Sequence, residues 1–497
     1  MKKFVIVGSG SAGLISAAMI KKYWQDEVDI SIIHNQKQGT IAVGESTTPF
    51  IHIFLNFFDI PEREIIRDLD VSVKLGINFK NWIPNTEYFH GFTQVPSSGR
   101  NDDPSSIYSI LNDEYDGGSL YNHAINEVPS TVFNNLNHGL HIDTKQFTEY
   151  ISDKLKNKVN FIDDIVTRVR VNSECDEIEN IECKYSGIIE ADYFIDASGF
   201  NTVLFKHLNP KWNDITKFLP IDRAIPQQVP YDFTIKDDMP SYTLAEATDN
   251  GWIWKIPIGN RFGTGYLYSS KFTSDDEARE KYNDWLVKNF NTELKTDRII
   301  KYRPGYYENC WIGNCLAVGL ASGFVEPLES TGIHTIIKQV QEFINNNSNL
   351  KNLKFNRKSV NQLNKEFYVD IIDFVALHYC TNRTDSEFWK YITNNKSEWV
   401  ADVEQKCKEE FLDVTLYRNN PARELPLESY VSIAQGLKMF SKYGIESYLN
   451  SKPHGHNMFF SGQDILEVAK NLYECEQSEK TLQEFVSHKQ IIDSIHK

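Results

Sequence analysis

The sequence predicts an α/β fold built around a nucleotide-binding βαβ unit at its start. Residues 4–7 (FVIV) form a short apolar run, typical of a strand buried on both faces. Gly8, Gly10 and Gly13 follow as G-x-G-x-x-G, and residues 14–23 continue with a helical rhythm of apolar side chains. Because this glycine motif stands between a strand and a helix, it predicts a dinucleotide site rather than a plain turn.

Each glycine of the motif has a mechanical reason to be there. Gly8 allows the tight turn, Gly10 lets the backbone approach a pyrophosphate, and Gly13 lets the helix pack closely on the strand. The N-terminus of the helix that follows supplies unpaired N–H groups and a partial positive charge for a diphosphate.

The second strand of this unit is predicted over residues 28–33 and ends at His34. In dinucleotide sites an acid usually stands at this point and binds the adenosine ribose hydroxyls. The imidazole of His34 can also hydrogen-bond a hydroxyl, but without the charge of a carboxylate. We therefore expect weaker retention of the dinucleotide.

Length, charge and cysteine content argue against several other classes of protein, such as nucleic-acid-binding, zinc-binding and membrane proteins. The chain has 497 residues, enough for two to four structural units, and its formal charge of −16 argues against binding to phosphate backbones. Seven scattered cysteines with no CxxC pair predict free thiols and no zinc site. No apolar run is long enough for a membrane span, and the first apolar segment lacks a cleavage region. The sequence thus predicts a soluble, cytoplasmic protein with no nucleic-acid or membrane partner.

Residues 71–79 alternate between apolar and polar side chains, which predicts a strand with one polar face. Lys74 lies on that polar face, so the pattern alone favours a solvated surface lysine. The aromatic cluster at residues 88–92 contains His90 and Phe92 and is either core or the wall of a pocket for a flat ligand.

A second nucleotide-fold strand is predicted in residues 192–201, DYFIDASGFN. A strand ending in D-x-S-G, here with Asp196, is common in two-part FAD folds and favours FAD over NAD. Residues 205–300 are predicted to be largely antiparallel sheet, with Trp252 and Trp254 on one strand face. From the pattern alone, this is a sheet packed against a domain interface.

A further strand over residues 317–321 precedes the segment FVEPLESTGI, and a helical rhythm begins at Ile333. Ser330 or Thr331 can cap this helix, whose N-terminus is able to hold an anion or a flavin edge. Glu329 precedes the cap, and its carboxylate is either structural or catalytic. Spacing alone favours the structural role. Beyond residue 350 the chain is predicted to be mainly helical.

Several separate stretches together resemble one family. They are GSGSAG, AVGES, VKLGINFKNW, GWIWKIPI, FVEPLESTGI and DFVALHYCTNRTDSEFW. Over residues 1–390 the chain resembles the flavin-dependent halogenases of the tryptophan-halogenase type. The most specific part is W-x-W-x-I-P, which here comprises Trp252, Trp254, Ile256 and Pro257.

The resemblance implies a fold and a domain plan. We expect an FAD-binding Rossmann-like domain of the flavin monooxygenase and halogenase type, with an inserted mixed β-sheet and a mainly helical C-terminal part. Residues 1–345 would form the FAD-binding and halogenation module, with sheet-rich substrate-side segments at about 70–150 and 205–300. Residues 346–497 would form a helical region that covers the substrate.

The resemblance also implies a chemistry. In the family, reduced FAD and dioxygen oxidise halide to a hypohalous acid, which travels through an internal tunnel to a lysine. Lys74 matches that lysine, which holds the oxidant either by hydrogen bonding or as a haloamine. Glu329 matches a glutamate that polarises the oxidant or accepts a proton. A wall of tryptophans would keep the substrate away from the flavin.

The same resemblance assigns further residues by role. The FAD-binding set comprises Gly8, Gly10, Ser11, Ala12, Gly13, His34, Val43, Gly44, Glu45, Val166, Asp196, Gly319 and Ile333. Thr331 and Gly332 would bind the halide, and Trp252 and Trp254 would line the tunnel. His90, Phe92 and Ser330 would contact the substrate, although Gly91 replaces a frequent proline.

The expected substrate and partner are inferred from features that the chain does not share with tryptophan-specific members or that it lacks. Residues 402–455 do not match the pattern with which tryptophan-specific members grip the amino acid, so we expect an indole-like or phenolic substrate rather than free tryptophan. No second nucleotide motif is present for NAD(P)H, which predicts that a separate, diffusing flavin reductase supplies FADH2. Two alternatives stay open: a flavin monooxygenase that hydroxylates an aromatic compound, and a flavin-binding protein without turnover.

Overall fold

The chain forms two compact units in a computed structural model that describes residues 1–36, 45–92, 127–129, 137–231, 239–350, 356–412, 424–451, 470 and 485–496. The first unit comprises Met1–Val71, Leu140–Thr216 and Lys301–Val369. The second comprises Ser72–Gly139, Lys217–Ile300 and Asp370–Lys497. Residues 37–44, which include Val43 and Gly44, lie outside the described residues.

The strands of the described residues are β1 Lys2–Val7, β2 Val28–His34, β3 Glu45–Ser46, β4 Ser72–Lys74, β5 Gly76–Lys80, β6 Glu87–Gly91, β7 Glu127–Pro129, β8 Gly139–Ile142, β9 Asn160–Asp163, β10 Val166–Val171, β11 Ile178–Cys183, β12 Gly187–Ile189, β13 Tyr193–Asp196, β14 Trp212–Asp214, β15 Arg223–Pro230, β16 Tyr242–Thr248, β17 Gly251–Ile258, β18 Arg261–Tyr268, β19 Ile300–Lys301, β20 Gly305–Tyr307, β21 Trp311–Ile312, β22 Cys315–Ala317, β23 Gly323–Phe324 and β24 Phe485–Ser487. The helices are α1 Ser11–Trp24, α2 Ile51–Phe57, α3 Glu62–Asp68, α4 Thr144–Leu155, α5 Asp275–Phe290, α6 Thr331–Asn345, α7 Arg357–Leu377, α8 Glu387–Asn394, α9 Glu398–Glu409, α10 Leu427–Gly436, α11 Lys442–Ser451 and α12 His488–His496.

The first unit is built on a six-stranded sheet in the order β21-β22-β13-β1-β2-β9. Its five strands from β22 to β9 are parallel, and β21 joins β22 as an antiparallel edge. The apolar run at residues 4–7 lies in the central strand β1 and is buried, as a strand covered on both faces requires. The βαβ unit predicted at the start of the chain is therefore confirmed.

The second unit contains a larger mixed sheet in which six strands follow one another as β15-β18-β17-β16-β5-β6. Neighbours pair antiparallel except β16 and β5, which are parallel. Helix α5 covers this sheet and begins with a capping box in which Ser274 and Glu277 satisfy each other's backbone N–H groups. Its Tyr282 and Leu286 pack into the apolar core beneath. The mixed sheet predicted for the middle of the chain is thus confirmed.

Two strands differ from their sequence predictions. The predicted strand at residues 71–79 is divided at Leu75, whose N–H donates to the carbonyl of Ser241 (2.7 Å) instead of continuing one ladder. At residues 317–321 the strand ends at Ala317, and a single 3₁₀ turn follows. Among the described residues no helix is long and apolar enough to cross a membrane.

Candidate functional site

The glycine-rich turn of the first unit has the geometry that its spacing predicts. Gly8 has φ +115°, and its N–H donates to the carbonyl of Ile33 at 2.9 Å. A Cβ at Gly8 would lie 2.3 Å from the carbonyl oxygen of Ala197, and one at Gly13 would lie 1.9 Å from that of Gly8. Neither position can hold a side chain, because real Cβ atoms do not approach backbone oxygens so closely. At Gly10, by contrast, a Cβ would meet nothing within 4 Å.

That open side lies at the N-terminus of α1. Gly10 is the N-cap residue and makes no side-chain cap hydrogen bond, and Ser11 and Ala12 in the first turn are half-buried. The first N–H groups of a helix have no partner within the helix, so without a capping side chain they can bind an anion. The open position and uncapped helix terminus therefore fit a dinucleotide diphosphate.

His34, Val166 and Asp196 lie at strand ends in the first unit. His34 ends β2 with its ring edge toward Phe161, 5.9 Å between centroids, and half-buried Val166 begins β10. The buried Asp196 carboxylate accepts hydrogen bonds from the N–H groups of Ser198, Leu204 and Phe205.

The Ser198 hydroxyl donates to the same Asp196 carboxylate at 2.5 Å. Burial raises the pKa of the Asp196 carboxyl, and these donors act in the opposite direction. The carboxylate thus orders the loop that follows β13, the same loop whose Ala197 carbonyl faces Gly8.

A second uncapped helix terminus belongs to α6. Ser330 is its N-cap residue with φ +59°, and its side chain makes no cap hydrogen bond, so the prediction of a side-chain cap at Ser330 is wrong. The Ser330 hydroxyl instead donates to the Ser46 hydroxyl at 3.0 Å. Glu329 and Thr331 are buried, whereas Gly332 is exposed and a Cβ there would meet nothing within 4 Å. Open space thus lies beside the N–H groups predicted to bind halide.

Gly319 connects the two helix termini. It has φ +63°, and a Cβ there would lie 3.0 Å from Ile336 on α6 and 3.1 Å from Ala12 on α1. Its N–H donates to the side-chain oxygen of Gln339 at 2.8 Å. The structure thereby brings Ala12, Gly319 and the first turns of α6, where Ile333 is buried, into one neighbourhood of the first unit.

A buried histidine in the first turn of α6 was not predicted. The ring of His334 stacks on Phe50, 4.0 Å between centroids, and its Nδ1 lies 3.3 Å from the Thr48 hydroxyl. Nearby in sequence, Glu45 begins β3 and is half-buried, and burial raises the pKa of its carboxyl to about 7. Sequence spacing indicates neither the buried His334 ring nor the raised pKa of Glu45, because both depend on contacts between distant segments.

Lys74 is fully buried in the second unit, with its Nζ 4.8 Å from the centroid of the Phe92 ring. The prediction of a solvated surface lysine is therefore wrong. The polar face of this strand is covered: Ser72 is also fully buried and its hydroxyl donates to the carbonyl of Pro257 at 2.6 Å. A lysine ammonium beside an aromatic face gains a cation–π attraction, which strengthens when water is excluded.

His90 and Phe92 lie next to one another in the same unit. Their rings meet edge to face at 6.1 Å, and His90 is similarly placed against Phe374 of α7 at 5.8 Å. His90 Nε2 lies 3.0 Å from the hydroxyl of Ser429 on α10. The C-terminal helices of the second unit thus fix the orientation of a residue predicted to bind the substrate.

Trp252 and Trp254 are both buried in β17, with ring centroids 6.5 Å apart. The indole of Trp254 lies over Gly265 of β18, where a Cβ would be 2.1 Å from the ring. The hydroxyl of Thr264 donates to the Trp254 carbonyl at 2.6 Å. A glycine opposite the indole gives it room to lie flat on the sheet.

The predicted site residues are therefore sorted by unit. Those predicted to bind FAD and halide, together with Glu329 and Ser330, lie in the first unit wherever they are described. Lys74, His90, Phe92 and the two tryptophans lie in the second. Within the second unit, Lys74, Phe92 and His90 form a continuous chain of contacts.

Comparison with known proteins identifies the family of this chain. Residues 3–443 match the family model for tryptophan halogenase. The chain is 30% identical to tryptophan 7-halogenase RebH of Lentzea aerocolonigenes, covering 87% of this chain and 85% of that protein. It is also 30% identical to tryptophan 6-halogenase SttH of Streptomyces toxytricini, covering 81% and 82%.

Among solved structures, the fold is similar to that of Tar14, a tryptophan C-6 flavin-dependent halogenase (chlorinase) from taromycin biosynthesis. The TM-score is 0.86 at 25% identity, with all of both chains covered. The uncapped, glycine-lined helix terminus fits the FAD that such enzymes require. The chain accordingly belongs to the tryptophan halogenase family, as a flavin-dependent halogenase that uses halide, dioxygen and FADH2 from a separate reductase.

Proposed function

We propose that Lys74 delivers the halogen to an electron-rich aromatic ring. The observation that carries this proposal is a lysine with no solvent exposure whose Nζ faces the Phe92 ring. Burying a lysine ammonium is costly, and buried ionisable groups are concentrated at functional sites. The neighbouring His90 and Phe92 supply flat surfaces on which an aromatic substrate can stack.

In the first unit, we propose that the cofactor is held by the residues predicted from the sequence. The diphosphate would bind the N–H groups of Gly10, Ser11 and Ala12, and halide would bind those of Thr331 and Gly332. When bound as FADH2, the cofactor would supply two of the four electrons that reduce dioxygen and halide the other two, so that FADH2, dioxygen, halide and one proton give FAD, hypohalous acid and water.

In the transfer step, Lys74 Nζ donates a hydrogen bond to the oxygen of the hypohalous acid, which makes the halogen more electrophilic. The ring carbon bonds to the halogen as the oxygen–halogen bond breaks. The leaving hydroxide takes a proton and departs as water, and the ring loses its proton. For Glu329, a buried carboxylate of the first unit, we propose the role of proton acceptor.

For the substrate, we propose an indole-like or phenolic compound. The relatives named above are tryptophan halogenases, whereas this chain is expected to prefer a ring without the free amino acid groups. Efficient, regioselective halogenation of free tryptophan would contradict that preference. We further propose that the reductase delivers FADH2 by diffusion and that both proteins work in the cytoplasm.

The test is mass spectrometry of indole, simple phenols and tryptophan after incubation with FAD, a flavin reductase, NADH and each halide in turn. Catalase removes leaked peroxide. Lys74→Ala is compared with Lys80→Ala, a lysine of the next strand that is half-exposed. We expect a halide-matched mass shift that is lost only in Lys74→Ala.

Other outcomes decide against the proposal. Addition of oxygen without halogen would favour an aromatic hydroxylase. Undiminished halogenation by Lys74→Ala would remove the lysine from the mechanism. FAD binding without any product under all halides would favour a flavin-binding protein without turnover.

A further inference from the structure

A histidine near the C-terminal end of the described chain contacts the strand that carries Lys74. His488, the first residue of α12, is fully buried, and its Nε2 lies 3.0 Å from the backbone nitrogen of Val73. Its Nδ1 lies 3.3 Å from the carbonyl oxygen of Met239. Both partners belong to the same unit as His488.

These two partners determine the protonation state of the ring. The Val73 nitrogen is a donor, so Nε2 of His488 must be unprotonated to accept from it. The Met239 oxygen is an acceptor, so Nδ1 must carry the hydrogen. The ring is therefore the neutral Nδ1–H form, and burial lowers the pKa of His488 to about 4, which keeps that form at neutral pH.

The hydrogen bond to Val73 is one of several around Lys74, and two others show how the neighbouring residues are held. On one side, the Ser72 hydroxyl donates to Pro257. On the other, the Leu75 N–H donates to Ser241, two residues after Met239 in the segment that His488 also contacts. The imidazole thus ties the residue before Lys74 to the segment that holds the residue after it.

We propose that His488 is a positioning residue for halogen transfer, holding the backbone of Val73 so that the Lys74 side chain points at the transferred halogen. This inference rests on the proposed role of Lys74. It assigns the C-terminal segment to the active site, because His488, which accepts the hydrogen bond from Val73, lies 415 residues after it in the sequence. A small displacement of a reacting group can lower the reaction rate strongly. Loss of the hydrogen bond between His488 and Val73 should therefore slow halogen transfer.

The test replaces His488 with two amide side chains of different length. Each amide can keep only one of the hydrogen bonds to Val73 and Met239. In His488→Gln the longer amide reaches the position of Nε2 and can accept from Val73. In His488→Asn the shorter amide corresponds to Nδ1 and reaches only the Met239 carbonyl. His488→Leu keeps neither bond. Each variant is loaded with FAD, and its folded, FAD-competent fraction is measured so that rates are expressed per active molecule.

Two products are then counted for each FADH2 oxidised: halogenated indole, and free hypohalous acid trapped by a soluble diketone. We expect His488→Asn and His488→Leu to lower indole halogenation per active molecule on the order of 10- to 100-fold, through kcat rather than KM. Trapped hypohalous acid should rise as halogenated indole falls. His488→Gln should stay within about threefold of the original protein.

A purely structural role predicts a different pattern, in which the total amount of both products falls with the folded fraction, while the halogenation rate per active molecule and the ratio of the two products stay unchanged. That result, or equal halogenation by His488→Asn and His488→Gln, would overturn the inference. Lys74→Ala run in parallel separates the two proposals. If Lys74→Ala loses transfer while all His488 variants keep it, only the inference about His488 fails. If Lys74→Ala transfers halogen normally, the proposed function fails and the inference with it.

Discussion

The two units perform their proposed tasks with different parts of the chain. In the first unit the proposed binding groups are mainly backbone N–H groups at two helix termini, exposed by glycines and by the lack of capping side chains. In the second unit they are side chains buried on or beside strands, Lys74, His90 and Trp254 among them. One unit depends on close backbone approach and the other on side chains fixed by distant contacts.

This difference predicts different failures. Damage to the glycine turn and helix terminus that would hold FAD in the first unit should stop cofactor binding and therefore all later chemistry. Damage to the second should leave FADH2 oxidation and halide oxidation intact and misdirect the oxidant. Changes in the second unit should therefore leave FAD binding and FADH2 oxidation unaffected, or else the division of labour is wrong.

The largest effect is expected from Gly13→Ala. Its Cβ would lie 1.9 Å from the carbonyl oxygen of Gly8, so helix α1 and the turn must separate. We expect a loss of about 4 kcal/mol or more in the free energy of unfolding, with FAD binding lost. Urea unfolding and calorimetric titration with FAD measure the two quantities.

Gly10→Ala is the matched control for that change. Nothing lies within 4 Å of a Cβ at Gly10, so stability should change by no more than about 1 kcal/mol. FAD affinity should still fall, because the added methyl group occupies the side from which a diphosphate would approach. Unchanged FAD affinity would place the diphosphate elsewhere.

Trp254→Ala should damage the second unit alone. It empties the space of a buried indole that lies over Gly265, and we expect a cost of about 3–4 kcal/mol in the free energy of unfolding. Below the unfolding temperature, FADH2 oxidation should be kept while the halogenated fraction of product falls. Trp254→Phe leaves a smaller cavity, so its stability and its halogenated fraction of product should lie between those of Trp254→Ala and the original protein. Loss of FAD affinity in either variant would contradict the separation of tasks.

A smaller effect is expected at the bond between His90 and Ser429. Ser429→Ala leaves a buried imidazole nitrogen without its hydroxyl partner at 3.0 Å, which should cost about 1–2 kcal/mol. His90→Phe keeps a ring against Phe374 but loses the same bond. A double-mutant cycle on KM for the aromatic substrate should give a coupling energy of about 1 kcal/mol. A cycle with no coupling would mean that Ser429 does not orient the ring.

The sequence predicts the first unit better than the second, because the first depends on local backbone geometry and the second on contacts between distant segments. Gly8 and Gly13 are required by close backbone approach within a short βαβ unit, and local spacing records that requirement. The antiparallel strands predicted within residues 205–300 likewise follow from local patterns, whereas the mixed sheet was implied by the resemblance to a family. At Ser330 the local rule fails, because the hydroxyl bonds to Ser46 rather than capping its own helix.

In the second unit the informative contacts join residues far apart in sequence. Alternation along residues 71–79 predicts an exposed Lys74, yet Pro257, Ser241 and His488 cover that strand from three other segments. No periodicity encodes such coverage, and the resemblance to a family was needed to identify the lysine. His488 had neither a motif nor a resemblance to mark it.

The smallest expected effect is a pH dependence of stability in the first unit. Burial raises the pKa of Glu45 to about 7, so the folded state binds a proton more tightly than the unfolded state. The resulting stabilisation is complete below the unfolded pKa of about 4.3 and is lost as pH rises through about 7. Glu45→Gln should remove this loss, on the order of 1 kcal/mol for a half-buried group.

Urea unfolding of the FAD-free protein at about pH 5, 6, 7 and 8 measures that dependence for both proteins. Glu64→Gln is the control of opposite sign, because hydrogen bonds from Lys154 and Tyr150 lower the pKa of Glu64. Its stabilisation is present above its unfolded pKa and lost as pH falls through the folded one, so little should change between pH 5 and 8. If Glu45→Gln and the original protein show parallel stability over this range, Glu45 is ionised throughout. A carboxylate ionised beside the proposed cofactor site would repel the diphosphate, and FAD affinity should then rise in Glu45→Gln.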